Sequence, residues 1–344
     1  MISFLDAAAP TRRALLARAG AVAAAVAAVC TRQAQAAQAL DAALDETWYD
    51  SARQRNLPLR LRWPSTPGPW PAIIYSHGLG GSRDGADVWG NAWAEAGFVV
   101  LHVQHPGSDT AVLRAGGLAT LRAAATAEQL LAPVADVRFV LDEISRRQQA
   151  AAGPWQKVLL GAIGMAGHSF GAQTAQALAG QRYDSPGTLS EPRLRAFIGL
   201  SPSPGRSRLS VAEQFGDVQR PFMVVTGSLD GDPFAASGTA AADDGARRAR
   251  VFDGLPAGQR ALLWLQGADH MSFAGNRAQR INTSRAFQRQ AIAQQLEDQH
   301  HAVVARISTL WWAAQLLPSA LTRAALLQVA QAAELQPGDR WVLG

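Results

Sequence analysis

The stretch Gly164-Met165-Ala166-Gly167-His168-Ser169-Phe170-Gly171 sets a serine between two glycines, directly after an apolar run. The residues that follow it, 172–180, suit a helix. A serine hydroxyl is a poor nucleophile at neutral pH, so it needs a base beside it and a third group to orient that base. Held on a sharp turn from strand to helix, such a hydroxyl stands exposed above the sheet, and the acid and then the histidine follow it along the chain. Both are present in that order. Asp230 comes after the apolar run 221–226, in Gly227-Ser228-Leu229-Asp230-Gly231-Asp232, and His270 comes after the run 261–266. Each falls just beyond an expected strand end, where open α/β sheets meet their ligands.

The expected catalytic set is therefore Ser169 as nucleophile, His270 as base and Asp230 as the acid that orients it. Asp232, two residues on, and Asp269, beside the histidine, stay open as alternatives for the acid. His105 also lies in a loop past a strand end, but it precedes the acid. His102 falls within a strand, His77 and His168 belong to glycine turns, and His300-His301 are expected on the solvated face of a helix. Glu297 and His301 stand four apart on that helix without a third ligand nearby, so no metal is expected there. No cofactor is implied.

An acyl-transfer site also needs donors for the oxyanion, normally the amide after the nucleophile and one from the loop after an early strand. Those would be Phe170 and, from Tyr75-Ser76-His77-Gly78-Leu79-Gly80-Gly81, Leu79.

The elements that must position these groups can be read from short apolar runs. Residues 57–64 alternate apolar and basic, as a half-exposed strand does. Runs at 71–76, 98–103, 162–166, 196–201, 221–226 and 261–266 are continuous, and helical spacing separates them; Val137, Val140, Leu141 and Ile144 share one face. Continuous strands alternating with helices predict an α/β fold with a mostly parallel central sheet flanked by helices. The segment before about residue 55 reads as a polar stretch. Residues 285–317 carry long helical periodicity, and Trp311-Trp312 are expected to pack over the sheet or pocket, a membrane-seeking tip being the lesser reading. From its position alone, the segment 110–133 is expected to form part of a pocket wall.

The N-terminus reads differently. Thr11-Arg12-Arg13-Ala14-Leu15-Leu16 is a twin-arginine pattern; an alanine/valine run from Ala19 to Val29 and the small-residue site Ala34-Gln35-Ala36 follow it. That order predicts an export signal over 1–36, a periplasmic or secreted location, and a single domain over 37–344 with a long C-terminal helical segment. The full chain has 344 residues, with 32 basic and 27 acidic side chains. Loss of 1–36 removes four arginines and one aspartate, leaving 28 against 26, so the net charge falls from +5 to +2. No concentrated basic stripe remains, which argues against a nucleic-acid partner. The one cysteine, Cys30, leaves with the signal, and stability must then come from the core.

Taken together, the motifs at 75–83, 103–109, 134–144, 167–174, 226–233 and 267–273 resemble bacterial α/β-hydrolases related to platelet-activating-factor acetylhydrolase, often called predicted dienelactone hydrolases. The resemblance implies cofactor-free ester hydrolysis with Ser169 as nucleophile, His270 as base and the Leu79 and Phe170 amides as oxyanion donors. Two departures stand out. The animal acetylhydrolases place the acid after the strand directly following the nucleophile helix, where this chain reads Gly199-Leu200-Ser201-Pro202; dienelactone hydrolases proper use cysteine as nucleophile. The expectation is an exported serine hydrolase acting on small-molecule carboxylic esters. An amidase, peptidase or polyester depolymerase on the same scaffold is the alternative, and a non-catalytic hydrolase-fold binding protein a more distant one.

Overall fold

The computed structural model describes residues 43–123, 127–184, 189–205, 207–232, 245–276, 289–332 and 335–344. The expected export signal lies outside the described residues, as does Phe234 and the rest of 233–244.

Among the described residues nine strands form one sheet. They are β1 (Leu44–Asp50), β2 (Arg55–Arg62), β3 (Trp70–Ser76), β4 (Val99–Val103), β5 (Val158–His168), β6 (Leu194–Leu200), β7 (Phe222–Leu229), β8 (Arg260–Asp269) and β9 (Arg340–Leu343). The helices are α1 (Asp87–Glu95), α2 (Thr110–Ala123), α3 (Ala127–Gln149), α4 (Phe170–Ala179), α5 (Val211–Phe215), α6 (Ala246–Gly254), α7 (Ala291–Gln295), α8 (Glu297–Leu316) and α9 (Ala320–Ala332).

In space the strands run β1-β2-β4-β3-β5-β6-β7-β8-β9. The six from β4 to β8 are parallel; at one edge β2 pairs antiparallel with β4 and β1 antiparallel with β2, and at the other β9 pairs antiparallel with β8. The expected α/β architecture is therefore present. Chain order reverses between β3 and β5, which makes the crevice at their C-terminal ends the switch point where such sheets bind ligands.

The parallel strands bury both faces because each is covered by helices. Strand alternation sends Ala72 and Ile74 of β3 to one face and Ile73 and Tyr75 to the other. The first layer packs Val137, Val140, Leu141 and Ile144 of α3 together with α4 residues. The second packs Trp89 and Trp93 of α1 against Ile307, Trp311 and Trp312 of α8.

One reading needs correction, and two strands add to those expected. The segment before residue 55 contains a strand, β1, whose Trp48 and Asp50 are buried. Its polar composition is that of an edge, and pairing with β2 rather than apolar periodicity makes it a strand. The short β9 was likewise not visible in the sequence. His300 and His301, expected to be solvated, are both buried: His300 Nε2 lies 3.1 Å from the Gln266 carbonyl, and the His301 ring meets Trp89 edge-on at 5.2 Å. The two histidines fall on the covered face of α8, while Asp298 and Ala302 keep the exposed one. Trp311 and Trp312 do pack over the sheet. Trp312 lies edge-on to Trp93 and so close to β5 that a Cβ on Gly164 would come within 2.5 Å of its ring. Among the described residues no helix is long and apolar enough to cross a membrane.

Candidate active site

Ser169 directly follows β5 and holds the N-cap position of α4, with φ 54° and ψ −111°. That is a left-handed conformation rare for a residue with a side chain, and such strain persists where the surroundings over-determine it. Here the strain falls on the serine itself, and the flanking glycines serve close approach. A Cβ on Gly167 would stand 2.1 Å from the Gly171 carbonyl oxygen, and one on Gly171 would stand 2.1 Å from that of Ser76. The elbow is thus wedged against the end of β3.

The structure brings the three sequence-predicted residues together. His270 Nε2 lies 2.9 Å from Ser169 Oγ, and His270 Nδ1 lies 2.9 Å from Asp230 Oδ1. Ser169 is half-buried, whereas Asp230 is fully buried. With Nδ1–H donated to the carboxylate, Nε2 presents its lone pair to the serine hydroxyl. Asp269 is engaged elsewhere: its side chain accepts from the Ser272 amide and hydroxyl and pairs with Arg289.

Sequence reasoning missed several groups that hold this constellation. Ser201, just past β6, stands where the acetylhydrolase pattern would have the acid. Its hydroxyl donates to Asp230 Oδ1 at 2.7 Å and sits 2.7 Å from His270 Nδ1. It too has positive φ, 55°, and its amide donates to the Val225 carbonyl. Thr226 donates to the other carboxylate oxygen, Oδ2, at 2.8 Å. Behind the acid lies Arg248 of α6, nine-tenths buried, with Nε 2.8 Å from Asp230 Oδ1 and further bonds to the Asp230, Ser201 and Gly231 carbonyls. The one sequence signal for Ser201 was its register at a parallel strand's C-terminal end. Arg248, on a helix beyond residues 233–244, had none.

Burial by itself would raise the Asp230 carboxyl, but the charge of Arg248 and the bonds from His270 and Ser201 hold it below the ordinary aspartate value. His270 is pushed below its ordinary value by burial and by Arg248, with Asp230 opposing. The base therefore stays neutral, and ready to accept a proton, to lower pH than an ordinary histidine. His168 Nε2 lies 3.0 Å from the His270 carbonyl, and the two rings pack at 4.9 Å. Burial pushes His168 down to about 3, so it stays a neutral donor fixing the His270 backbone.

Of the two expected oxyanion donors, Phe170 is the first residue of α4, where amides lack intrahelical partners. Leu79 lies in the turn after β3, one residue from Gly78, where an added Cβ would sit 3.4 Å from the Ser169 Cβ. Phe170 directly follows the serine, and the Leu79 amide belongs to the peptide that starts at Gly78, beside it. Glu297 pairs with Arg289, and among the described residues no group of three or more histidine, cysteine or acidic side chains could hold a metal. Two surface cavities of about 550 and 560 Å³, one beside Gly180 and Arg220 and one beside Trp48 and Arg146, include none of these residues.

A family model described as platelet-activating factor acetylhydrolase, isoform II, matches residues 48–115, the stretch that carries β1 to β4 and the Leu79 turn. Over that stretch the chain is similar to the platelet-activating factor acetylhydrolase family. Among solved structures, the chain is similar to a ferulic acid esterase from Streptomyces cinnamoneus, with a TM-score of 0.55 and 20% sequence identity. That match covers 81% of this chain and 91% of the other, and it speaks to the shared fold. No match was found among the curated proteins.

Proposed function

We propose that this protein is an exported serine esterase that cleaves small carboxylic esters through an acyl-enzyme. The observation that carries this reading is the continuous path Ser169–His270–Asp230, with both links at 2.9 Å, opening at the switch point of the sheet. Family likeness supports ester chemistry in general.

In the first half-reaction Ser169 Oγ attacks the ester carbonyl carbon while His270 Nε2 takes the hydroxyl proton. Asp230 stabilises the imidazolium without itself being protonated. The tetrahedral oxyanion rests on the Leu79 and Phe170 amides, aided by the N-terminal end of the α4 dipole. His270 returns its proton to the departing alkoxide, leaving an acyl-serine. Water then repeats the sequence: His270 removes its proton, the acyl bond breaks and the acid is released. Export is read from the twin arginines Arg12 and Arg13. Cell fractionation checks it: a Lys-Lys replacement at these positions should leave the protein in the cytoplasm.

The decisive test is a panel of p-nitrophenyl esters of rising chain length beside a matched anilide, on protein lacking residues 1–36. We expect the esters to turn over faster and a fluorophosphonate probe to label Ser169. Ser169→Ala should abolish labelling and lower kcat by roughly 10⁴–10⁶-fold. Faster turnover of the anilide would make the protein an amidase instead, and a well-folded protein that neither turns over nor labels would be a binding module.

A further inference from the structure

A second serine–histidine–aspartate chain lies inside the molecule. Ser76 Oγ is 3.0 Å from His105 Nε2, and His105 Nδ1 is 3.0 Å from Asp136 Oδ2. All three side chains are buried, Ser76 with 1% of its surface exposed, so no substrate reaches this hydroxyl. Asp136, on α3, is held in addition by Arg53 at 2.6 Å and by Arg55 at 2.8 and 3.0 Å. Burial would raise its carboxyl, but the bond from His105 and the pairing with Arg55 keep it below the ordinary value.

The chain continues from His105 toward the active site. The His105 amide donates to His77 Nε2 at 3.0 Å. That bond makes Nε2 the acceptor, so the proton of the neutral His77 ring is on Nδ1. His77 Nδ1 then donates to the Gly78 carbonyl at 2.8 Å, and the Gly81 amide donates to the same oxygen at 2.8 Å. The Gly78 carbonyl and the Leu79 amide belong to one peptide unit. A trans peptide is planar with its C=O and N–H opposed, so fixing the oxygen fixes the direction of the N–H. Two further bonds, Gly80 N–H to the Ser108 carbonyl and Thr110 N–H to the Gly81 carbonyl, tie the turn to the segment that carries His105.

We propose that Asp136, His105, Ser76 and His77 form a buried positioning relay that aims the Leu79 amide at the oxyanion formed on Ser169. The inference rests on the esterase reading given above. A buried polar network is costly unless every member is bonded, and apolar packing would serve stability as well, so its presence beneath this one turn calls for a specific role. The four are positioning residues: they act through the peptide between Gly78 and Leu79 and touch no substrate.

The test compares Ser76→Ala, His105→Gln and His77→Phe with the wild type, using p-nitrophenyl acetate and a trifluoromethyl ketone that forms a tetrahedral adduct on serine. The relay predicts a kcat loss of about tenfold to a hundredfold, at or below the cost of removing a donor outright. KM should stay within about twofold, and affinity for the ketone should fall by the same factor as kcat, since both depend on the oxyanion contact. Ser76→Ala is the mildest change and keeps the test open should a ring variant fail to fold. Wild-type labelling at Ser169 is read first: if it is absent, the esterase reading fails and the relay's role fails with it. If the wild type labels and turns over but Ser76→Ala keeps its full kcat and ketone affinity while only its melting temperature falls, the relay alone is overturned. Labelling of Ser76 in the Ser169→Ala variant would equally overturn it, by making Ser76 a reachable nucleophile.

Discussion

Two serine–histidine–aspartate chains lie side by side in this molecule, and their bond lengths hardly differ: 2.9 and 2.9 Å for Ser169–His270–Asp230, 3.0 and 3.0 Å for Ser76–His105–Asp136. What separates them is everything around the hydroxyl. Ser169 is half-buried, strained at φ 54° and placed at a helix N-terminus. Ser76 closes a regular strand and is sealed from solvent. The acids differ as well. Asp230 carries one buried arginine and a serine, an arrangement that tunes the histidine; Asp136 carries two arginines, an arrangement that clamps it. Hydrogen-bond geometry therefore does not by itself mark a reactive serine. Access, strain and a place for the oxyanion do.

The comparison can be pressed by mutation. The largest effect on rate is expected from Asp230→Asn, which keeps the shape but loses the charge that selects the His270 tautomer; kcat should drop by about 10⁴-fold. Asp136→Asn should behave in the opposite way. It leaves two arginines and a histidine around a neutral amide, and urea unfolding should report a loss of about 3–5 kcal/mol, with a far smaller change in kcat than Asp230→Asn. If the two variants showed the same balance of activity and stability loss, the distinction between a reactive and a structural chain would fall.

A smaller effect is expected at Ser201. Ser201→Ala removes a bond to a charged acid and leaves Asp230 less well held; kcat should fall by about tenfold, the magnitude of a charge-assisted hydrogen bond. An unchanged rate would mean that Thr226 and Arg248 suffice to hold the carboxylate.

The smallest effect concerns pH. His270 must be neutral to act, and burial with Arg248 nearby lowers its pKa from the ordinary 6.5, so the acid limb of kcat/KM should lie below pH 6.5. Arg248→Met removes the opposing charge and should move that limb to higher pH. Stability follows the same sign. His77 and His168, each pushed down to about 3, are neutral in the folded chain, whereas the unfolded chain takes up protons below about 6.5. Stability should therefore decline as pH falls from 6.5 toward 3, as melting temperatures across that range would record.

Much of the outer chain was legible in the sequence because it obeys a rule of order. Ser169, Asp230 and His270 each follow an apolar run that becomes a parallel strand, and their sequence along the chain matches the order this architecture imposes. The inner chain escaped because nothing local announces it. Ser76 reads as the end of a strand, His105 as a loop residue and Asp136 as one polar position in an amphipathic helix; only the neighbouring placement of β3, β4 and α3 brings them together. His300 and His301 were misread for a related reason. A polar pair on a helix implies a wet face only when that face is uncovered, and here Trp89 and the Gln266 carbonyl cover it.

The amino-acid order alone determined the alternation of buried strands and helices, the glycine-flanked serine and the acid and histidine downstream, because these depend on periodicity and on steric rules that act within a few residues. Tertiary structure decided which carboxylate faces His270, that a serine rather than an acid fills the site after β6, and that an arginine from α6 stands behind the pair. It also decided that a buried relay ends at the Gly78–Leu79 peptide. These depend on contacts between residues tens of positions apart, which the sheet's strand order and the packing of helices on its two faces bring within hydrogen-bond distance.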